Sequence, residues 1–459
     1  MQNLAEISSI KENIIVEVLD VQLLEKKSDT LRECVINTPV QGTMTDTYDI
    51  KFSGSLLGKK VPVVAIEFVN SGIVIRKIGV DKASPDIAQR YPKLLKAKKC
   101  GFATAVGLIG LPLESELILQ AVFKDKSKVP IARVKFRRLC DLASSYQPQL
   151  QPLILTCLGR SGTTWLMGLL REHPNILVAG GYPYEVLAAQ YWIHLLKVIS
   201  EPANTLESTP QLHPFAKNFN FIGHHPFYNT YGDSNLSSWF GKIYPKQLAS
   251  FCQQSIDGFY QQTANIGEKK LLTTEKINNP LQSEIIYFAE KYHANFPHIL
   301  QILLELYPQA SEIFLVRDFR DVICSKKARE IKMKKLRRVN QLKPEKEWIC
   351  EFEQSAIQPL LQRWRQRSGD VHLVRYEDLI MSPNETLSNL LKYLGLDNSS
   401  TIVNTILQTA SADTSRLKQH LTSSSPQASI GRWQNELTPT LQNLCNQVFA
   451  KALQEFGYL

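Results

Sequence analysis

Gly159-Arg-Ser-Gly-Thr-Thr164 packs two glycines, a guanidinium and three hydroxyls into six residues, directly after the apolar run Leu153-Ile-Leu-Thr-Cys-Leu158. That composition suits the holding of phosphate groups. Glycines let the backbone turn tightly with its N–H groups facing inward, hydroxyls add neutral donors, and Arg160 brings a full charge to the start of a helix whose dipole favours anions. A second cluster lies downstream, where Arg317 ends the apolar run Glu312-Ile-Phe-Leu-Val316 and Ser325 follows eight residues later. An Arg at a strand tip and a Ser two turns into the next helical region can converge on one phosphate, Arg giving a charge-assisted fork and Ser a neutral donor.

Two familiar chemistries fail against the same residues. The ATP loop requires Gly-x-x-x-x-Gly-Lys-Ser/Thr, and no Lys precedes Thr163-Thr164, nor does an apolar strand ending in an Mg²⁺-binding Asp stand out. The serine-hydrolase elbow needs Gly two places after its Ser and again two before, and the residue after Gly162 is Thr163.

The loop closely resembles the 5′-phosphosulfate loop of sulfotransferases, which use 3′-phosphoadenosine 5′-phosphosulfate (PAPS) as donor. Arg317 to Ser325 resembles the family's 3′-phosphate signature, Val371-His-Leu-Val-Arg-Tyr-Glu-Asp-Leu379 its strand with Tyr-Glu-Asp-Leu, and Ser429-Ile-Gly-Arg-Trp433 the segment that closes over the 3′-phosphate. All four occur in the family's order. The resemblance implies a donor site of Arg160, Ser161, Gly162, Thr163, Thr164, Trp165, Arg317, Ser325, Ser429 and Arg432, with Trp165 against adenine, 3′-phosphoadenosine 5′-phosphate (PAP) as product and no metal. Tyr376-Glu377-Asp378 is scaffold in this reading. One departure concerns the closing segment, where Pro426-Gln-Ala-Ser429 stands in place of the Arg-Lys-Gly triplet of the best-known cytosolic members.

The chemistry so implied is in-line transfer of a sulfuryl group to a hydroxyl or amine of a glycan, glycolipid or small metabolite. Charge on the departing phosphate must be stabilised, the acceptor proton taken and the donor held in line. Arg160 matches the family position for the first task, and Lys276 in Thr274-Glu-Lys-Ile-Asn-Asn-Pro280 is a second cation. For the proton, Glu185 in Gly180-Gly-Tyr-Pro-Tyr-Glu185 is favoured over His224 and His225 in Gly223-His-His-Pro226. A carboxylate would need burial to raise its pKa, whereas His starts near neutrality. Two other classes stay open: an Mg-ATP dependent kinase-like transferase, and a catalytically silent protein that recognises a nucleotide or glycan.

These residues need a scaffold, and the pattern of the chain supplies an α/β one. After the connector Ser144-Ser-Tyr-Gln-Pro-Gln-Leu-Gln-Pro152, apolar strands alternate with helical segments, so a parallel sheet flanked by helices, as in P-loop NTPase-like proteins, is expected over 149–459, with the donor at the strand C-termini. Thr163 to His173 has helical spacing, Trp165, Leu166, Leu169 and Leu170 on one side, and stops at Pro174. Residues 1–148 read as an all-β sandwich of about seven strands. Val61 to Val69 meets Ile73-Val-Ile75 across Asn70-Ser-Gly72, a hairpin signal, and Ala132, Val134 and Phe136 alternate with Arg133, Lys135 and Arg137. Ile87-Ala-Gln-Arg-Tyr-Pro92 with Gly101-Phe-Ala-Thr104 looks similar to the β-sandwich modules attached to bacterial glycosyltransferases.

Composition sets the outer limits. At 459 residues the chain is long for one core, and its 44% hydrophobic share is ordinary for a globular protein. The eight cysteines form no Cys-x-x-Cys pair and have no His clusters beside them, which argues against a disulfide framework and a zinc site and implies a reducing cytoplasm. Met1-Gln-Asn-Leu-Ala-Glu6 lacks a basic-then-apolar start, so export is not expected. The net charge of +10 is concentrated in part at residues 326–338, a run that starts just past Ser325 and suits PAPS, an anionic glycan or lipid-linked acceptor, or peripheral contact with a membrane surface. A nucleic acid fits poorly, since no aromatics interleave with the charges. The motifs carry neither acceptor identity nor oligomeric state.

Overall fold

The computed structural model describes residues 14–24, 30–202, 243–265, 285–293, 297–337, 344–367, 369, 371–412 and 422–459. These divide into two compact units, one drawn from Met1–Gln147, Gln190–Gln254 and His298–Leu306, the other from Pro148–Ala189, Ser255–Pro297 and Tyr307–Leu459.

The first unit is built on antiparallel strands β1 (Val16–Leu23), β2 (Leu31–Thr38), β3 (Met44–Thr45), β4 (Asp49–Gly58), β5 (Val63–Asn70), β6 (Ile73–Gly79), β7 (Gly101–Gly107), β8 (Glu114–Phe123) and β9 (Lys128–Arg138). They form a six-stranded sheet, β3-β1-β9-β8-β5-β6, and a three-stranded one, β2-β4-β7. Phe52 of β4 and Phe68 of β5 bring the two sheets together with ring centroids 4.8 Å apart. Among the described residues nine strands stand where the sequence suggests about seven, in part because the two-residue β3 is too short to leave a period. The hairpin forms as the sequence indicates. Asn70 faces Ile73 while Ser71 and Gly72 take φ of 49° and 81°, the two left-handed residues that let a turn match the strand twist. On β9, Ala132, Val134 and Phe136 are fully buried. Pro130 is accommodated where the β8–β9 register shifts between Leu119 and Gln120. Arg138, whose side chain is wholly buried, pairs with Glu305 and also donates to the Leu111 carbonyl.

The second unit holds a five-stranded, all-parallel sheet in the order β11-β12-β10-β13-β14. Its strands are β10 (Gln151–Cys157), β11 (Ile176–Leu177), β12 (Tyr287–His293), β13 (Ser311–Val316) and β14 (Val371–Arg375). The two-residue periodicity of β13 shows why both faces are covered. Ile313 and Leu315 enter a core shared with the helices Thr163–Glu172, Pro383–Tyr393 and Ser400–Ala412, whereas Phe314 and Val316 enter another with the helices Phe319–Arg337, Gln358–Gln366 and Pro439–Val448. The Thr163–Glu172 helix buries Met167 as well as Leu166, Leu169 and Leu170, a wider stripe than its spacing suggested, with Trp165 half-buried at its edge. Among the described residues no helix is long and apolar enough to cross a membrane, no three His, Cys, Asp or Glu side chains cluster to hold a metal ion, and no disulfide forms.

Candidate active site

The apolar β10 delivers its chain to a turn at the C-terminal edge of the sheet. The Ser161 amide folds back to the Leu158 carbonyl at 3.3 Å, and Arg160 and Gly162 adopt left-handed φ of 80° and 90°. Gly162 is fixed by space as well as conformation, because a Cβ there would stand 2.4 Å from Cδ2 of Tyr376. Arg160 holds the same region with a full side chain, a conformation that costs free energy and concentrates at functional sites. Thr163 and Thr164 open the following helix, so helical geometry gives their N–H groups no i−4 carbonyl and turns that end toward anions.

A cavity of about 650 Å³ opens against this turn. The loop contributes Arg160, Gly162, Thr163, Thr164 and Trp165; beyond β13 come Arg317 and Ser325; after β14 comes Tyr376; and Thr422, Ser423, Pro426, Gln427 and Ser429 complete the wall. Leu379, Ile380, Pro383 and Leu407 give it one apolar wall beside Trp165. Arg160 Nε donates to Ser325 Oγ at 3.0 Å, and Ser325 Oγ lies 3.1 Å from Thr422 Oγ1. The buried Arg317 donates to the carbonyls of Arg160 and Ser429 and stacks over the Tyr376 ring, 4.5 Å from its centroid. Its Nε is buried with no hydrogen-bond partner.

Charge points the same way. Burial pushes the Arg160 pKa down, and Arg329, Arg317 and Arg432 add repulsion against a small opposing effect of Tyr182. Lys326 is depressed by burial, then by Arg160 and Arg329. Such an assembly of cations destabilises itself and is relieved by an anion. Of the anions nearby, Glu436 is taken by Arg432, with contacts of 2.7 and 3.0 Å.

The candidates from sequence therefore separate. Arg160, Gly162, Thr163, Thr164, Trp165, Arg317, Ser325 and Ser429 share the cavity wall. Ser161 is buried beneath the turn, and Arg432 turns to Glu436 and to Thr422, 3.0 Å from both its Oγ1 and its carbonyl. Glu185 is 66% exposed and sits 3.7 Å from the ammonium of Lys291. Lys276, His224 and His225 lie outside the described residues.

Three participants were not singled out from sequence. Tyr376, read as scaffold, forms cavity wall, and Thr422 bridges Ser325 and Arg432. Lys291, on β12 directly beside Leu155 of β10, is nearly buried and donates to the Pro183 carbonyl at 2.6 Å. Burial lowers its pKa, with Glu185 and Cys157 opposing. The available signal was a lysine inside the strand-like run Tyr287-Phe-Ala-Glu-Lys-Tyr-His293.

Residues 152–400 match the Sulfotransferase family. No curated protein matches the chain. Among solved structures, the chain is similar to mouse sulfotransferase SULT7A1 complexed with PAP, at 11% identity and TM-score 0.36 over 68% of this chain and 87% of that one. It is also similar to the sulfotransferase domain of the Synechococcus PCC 7002 olefin synthase, at 17% identity and TM-score 0.37 over 67% and 96%. A third is the sulfotransferase domain from the curacin biosynthetic pathway, at 16% identity and TM-score 0.37 over 67% and 98%.

Proposed function

The chain belongs to the sulfotransferase family, and from that premise we propose that its cavity binds PAPS and that the enzyme transfers the sulfuryl group to a hydroxyl or amine of a glycan, glycolipid or small metabolite. The observation that carries this reading is the convergence of Arg160, Arg317 and Ser325 on one cavity, with Arg317 Nε buried and unpartnered. The residues fit the donor. The glycine turn and the Thr163-Thr164 helix end would hold the 5′-phosphosulfate, Arg317 and Ser325 with Ser429 the 3′-phosphate, and Trp165 beside the apolar wall the adenine. Residues 149–459 are then the catalytic domain and residues 1–148 an accessory one.

When bound, PAPS supplies an activated sulfuryl group on a phosphate leaving group. The chain supplies position and charge. Arg160, lodged against Ser325 at 3.0 Å, offers a fixed guanidinium to negative charge developing on the phosphate side. Glu185, 3.7 Å from the ammonium of Lys291, takes the proton of the acceptor in this reading. Lys276 as a second cation and His224 or His225 as the base are the alternatives within the same chemistry. A transferring sulfuryl group bears less negative charge than a phosphoryl group, so side chains can meet the electrostatic demand without a metal.

Calorimetric titration with PAP in the absence of Mg²⁺, beside an ATP–Mg²⁺ control, tests the reading. Micromolar binding that weakens more than about tenfold in Arg317→Ala is the expected result. Binding of ATP–Mg²⁺ but not PAP would make the chain a kinase-like transferase, and binding of neither would favour a silent recognition protein.

A further inference from the structure

Asp321 stands outside the catalytic and donor-binding sets, yet it is fully buried one helical turn before Ser325, on the same face of the Phe319–Arg337 helix. Its two carboxylate oxygens are both engaged by the closing segment. Oδ2 accepts the Gly431 N–H at 2.7 Å and Oδ1 the Trp433 N–H at 3.0 Å. Two residues before Gly431, Ser429 reaches the cavity, where its carbonyl receives Arg317 and its hydroxyl meets Tyr376.

We propose that Asp321 is a positioning residue that latches the Ser429–Trp433 segment to the helix carrying Ser325, and so fixes the wall against which the nucleotide is held. The proposal rests on the donor-site reading for its ligand and on the hydrogen bonds alone for the latch. The physical argument is geometric. Gly431 takes a left-handed φ of 70°, which turns the chain so that the amides at 431 and 433 point into one carboxylate. Arg432 between them is directed elsewhere, to Glu436 and Thr422. The Pro-Gln-Ala-Ser sequence before the turn carries no cation of its own. A carboxylate taking two backbone donors therefore does the holding here.

The groups acting on Asp321 come from two sides. Arg317 and Asp318 follow the end of β13 and act on it by charge, and the Gly431 and Trp433 amides reach it from the closing segment; Arg320, paired with Asp318, stacks 3.9 Å over the Trp433 ring. Burial raises the Asp321 pKa to about 6, while the two amides and Arg317 oppose that rise and Asp318 adds to it. Protonation replaces one acceptor with a donor that an amide cannot use, and Asp321→Asn makes the same replacement at every pH.

PAP affinity of wild type and Asp321→Asn, measured from pH 8 to pH 5, reads the latch against the nucleotide's own titration, which is common to both proteins. We expect Asp321→Asn to bind about tenfold more weakly at pH 8, with the ratio shrinking toward one below pH 6. A structural loss without a latch would not close with pH. Amide hydrogen exchange in nucleotide-free protein separates this from the donor reading. Gly431 and Trp433 amides should be protected in wild type and exchange at least tenfold faster in the variant. Failure of wild type to bind PAP, with that exchange difference present, overturns the donor reading and leaves the latch supported. Unprotected amides in wild type, or equal PAP affinity of the two proteins at pH 8, overturns the latch.

Discussion

The phenolic oxygen of Tyr376 lies 2.9 Å from the hydroxyl of Ser429, and the same ring carries Arg317 on its face and abuts Gly162 at its edge. One side chain thus touches the glycine turn, Arg317 and Ser429. Tyr376→Phe keeps the ring and deletes only the hydroxyl bond. Its PAP affinity should fall by roughly threefold to tenfold, the worth of one hydrogen bond of about 0.5–1.5 kcal/mol, with little change in thermal stability. Calorimetry with unaltered affinity would show that Tyr376 acts through its ring alone.

Gly162→Ala should be far more damaging than its single methyl suggests. The residue sits at a φ of 90°, and the new Cβ would meet Tyr376 Cδ2 at 2.4 Å, on a ring already held by Arg317 and Ser429. Neither backbone nor ring can yield cheaply. A stability loss of about 1–3 kcal/mol with PAP binding weakened more than about tenfold is expected, checked by denaturant unfolding and calorimetry on one preparation.

Which of these features sequence could show follows from range. The glycine turn is written locally, as an apolar run, two glycines and a helix pattern, and the Arg317–Ser325 spacing follows from one strand and the helix after it. The parallel sheet was legible for the same reason. β12 was not, because Glu290 and Lys291 interrupt its apolar pattern with charges that only tertiary partners make tolerable. Glu290 accepts the Ala189 amide at 2.7 Å and the Tyr260 hydroxyl, groups 101 and 30 residues away in sequence. The role of Tyr376 likewise depends on Gly162 and Ser429, neither near it in sequence. The orientation of Arg432 toward Glu436, one turn on, was within local reach as an i,i+4 pair.

Glu185→Gln tests the assignment of the proton acceptor. The carboxylate is 66% exposed, so its removal should leave folding and PAP affinity unchanged. Loss of a general base lowers kcat by about 10²–10⁴. The measurement is turnover with an acceptor drawn from a hydroxyl-compound screen, beside PAP titration of the same variant. Unchanged kcat would move the role to His224 or His225.

The first unit carries an acid-sensitive element of its own. His298 lies with Nδ1 3.2 Å from the Gly110 carbonyl and Nε2 buried without a partner. Burial pushes its pKa down to about 4, with Lys197 adding to the shift and the Gly110 bond and Glu201 opposing it. The sign is set by where the proton goes. Between the ordinary value near 6.5 and about 4, the unfolded chain binds a proton that the folded one does not, so this contribution is fully present above about pH 6.5 and is lost as pH falls toward 4. The loss amounts to about 3 kcal/mol in order of magnitude. His298→Gln can still donate to the Gly110 carbonyl but cannot titrate. Denaturant unfolding from pH 7 to pH 4 should therefore show wild type losing more stability than the variant, and parallel losses would show that His298 is not what acid attacks.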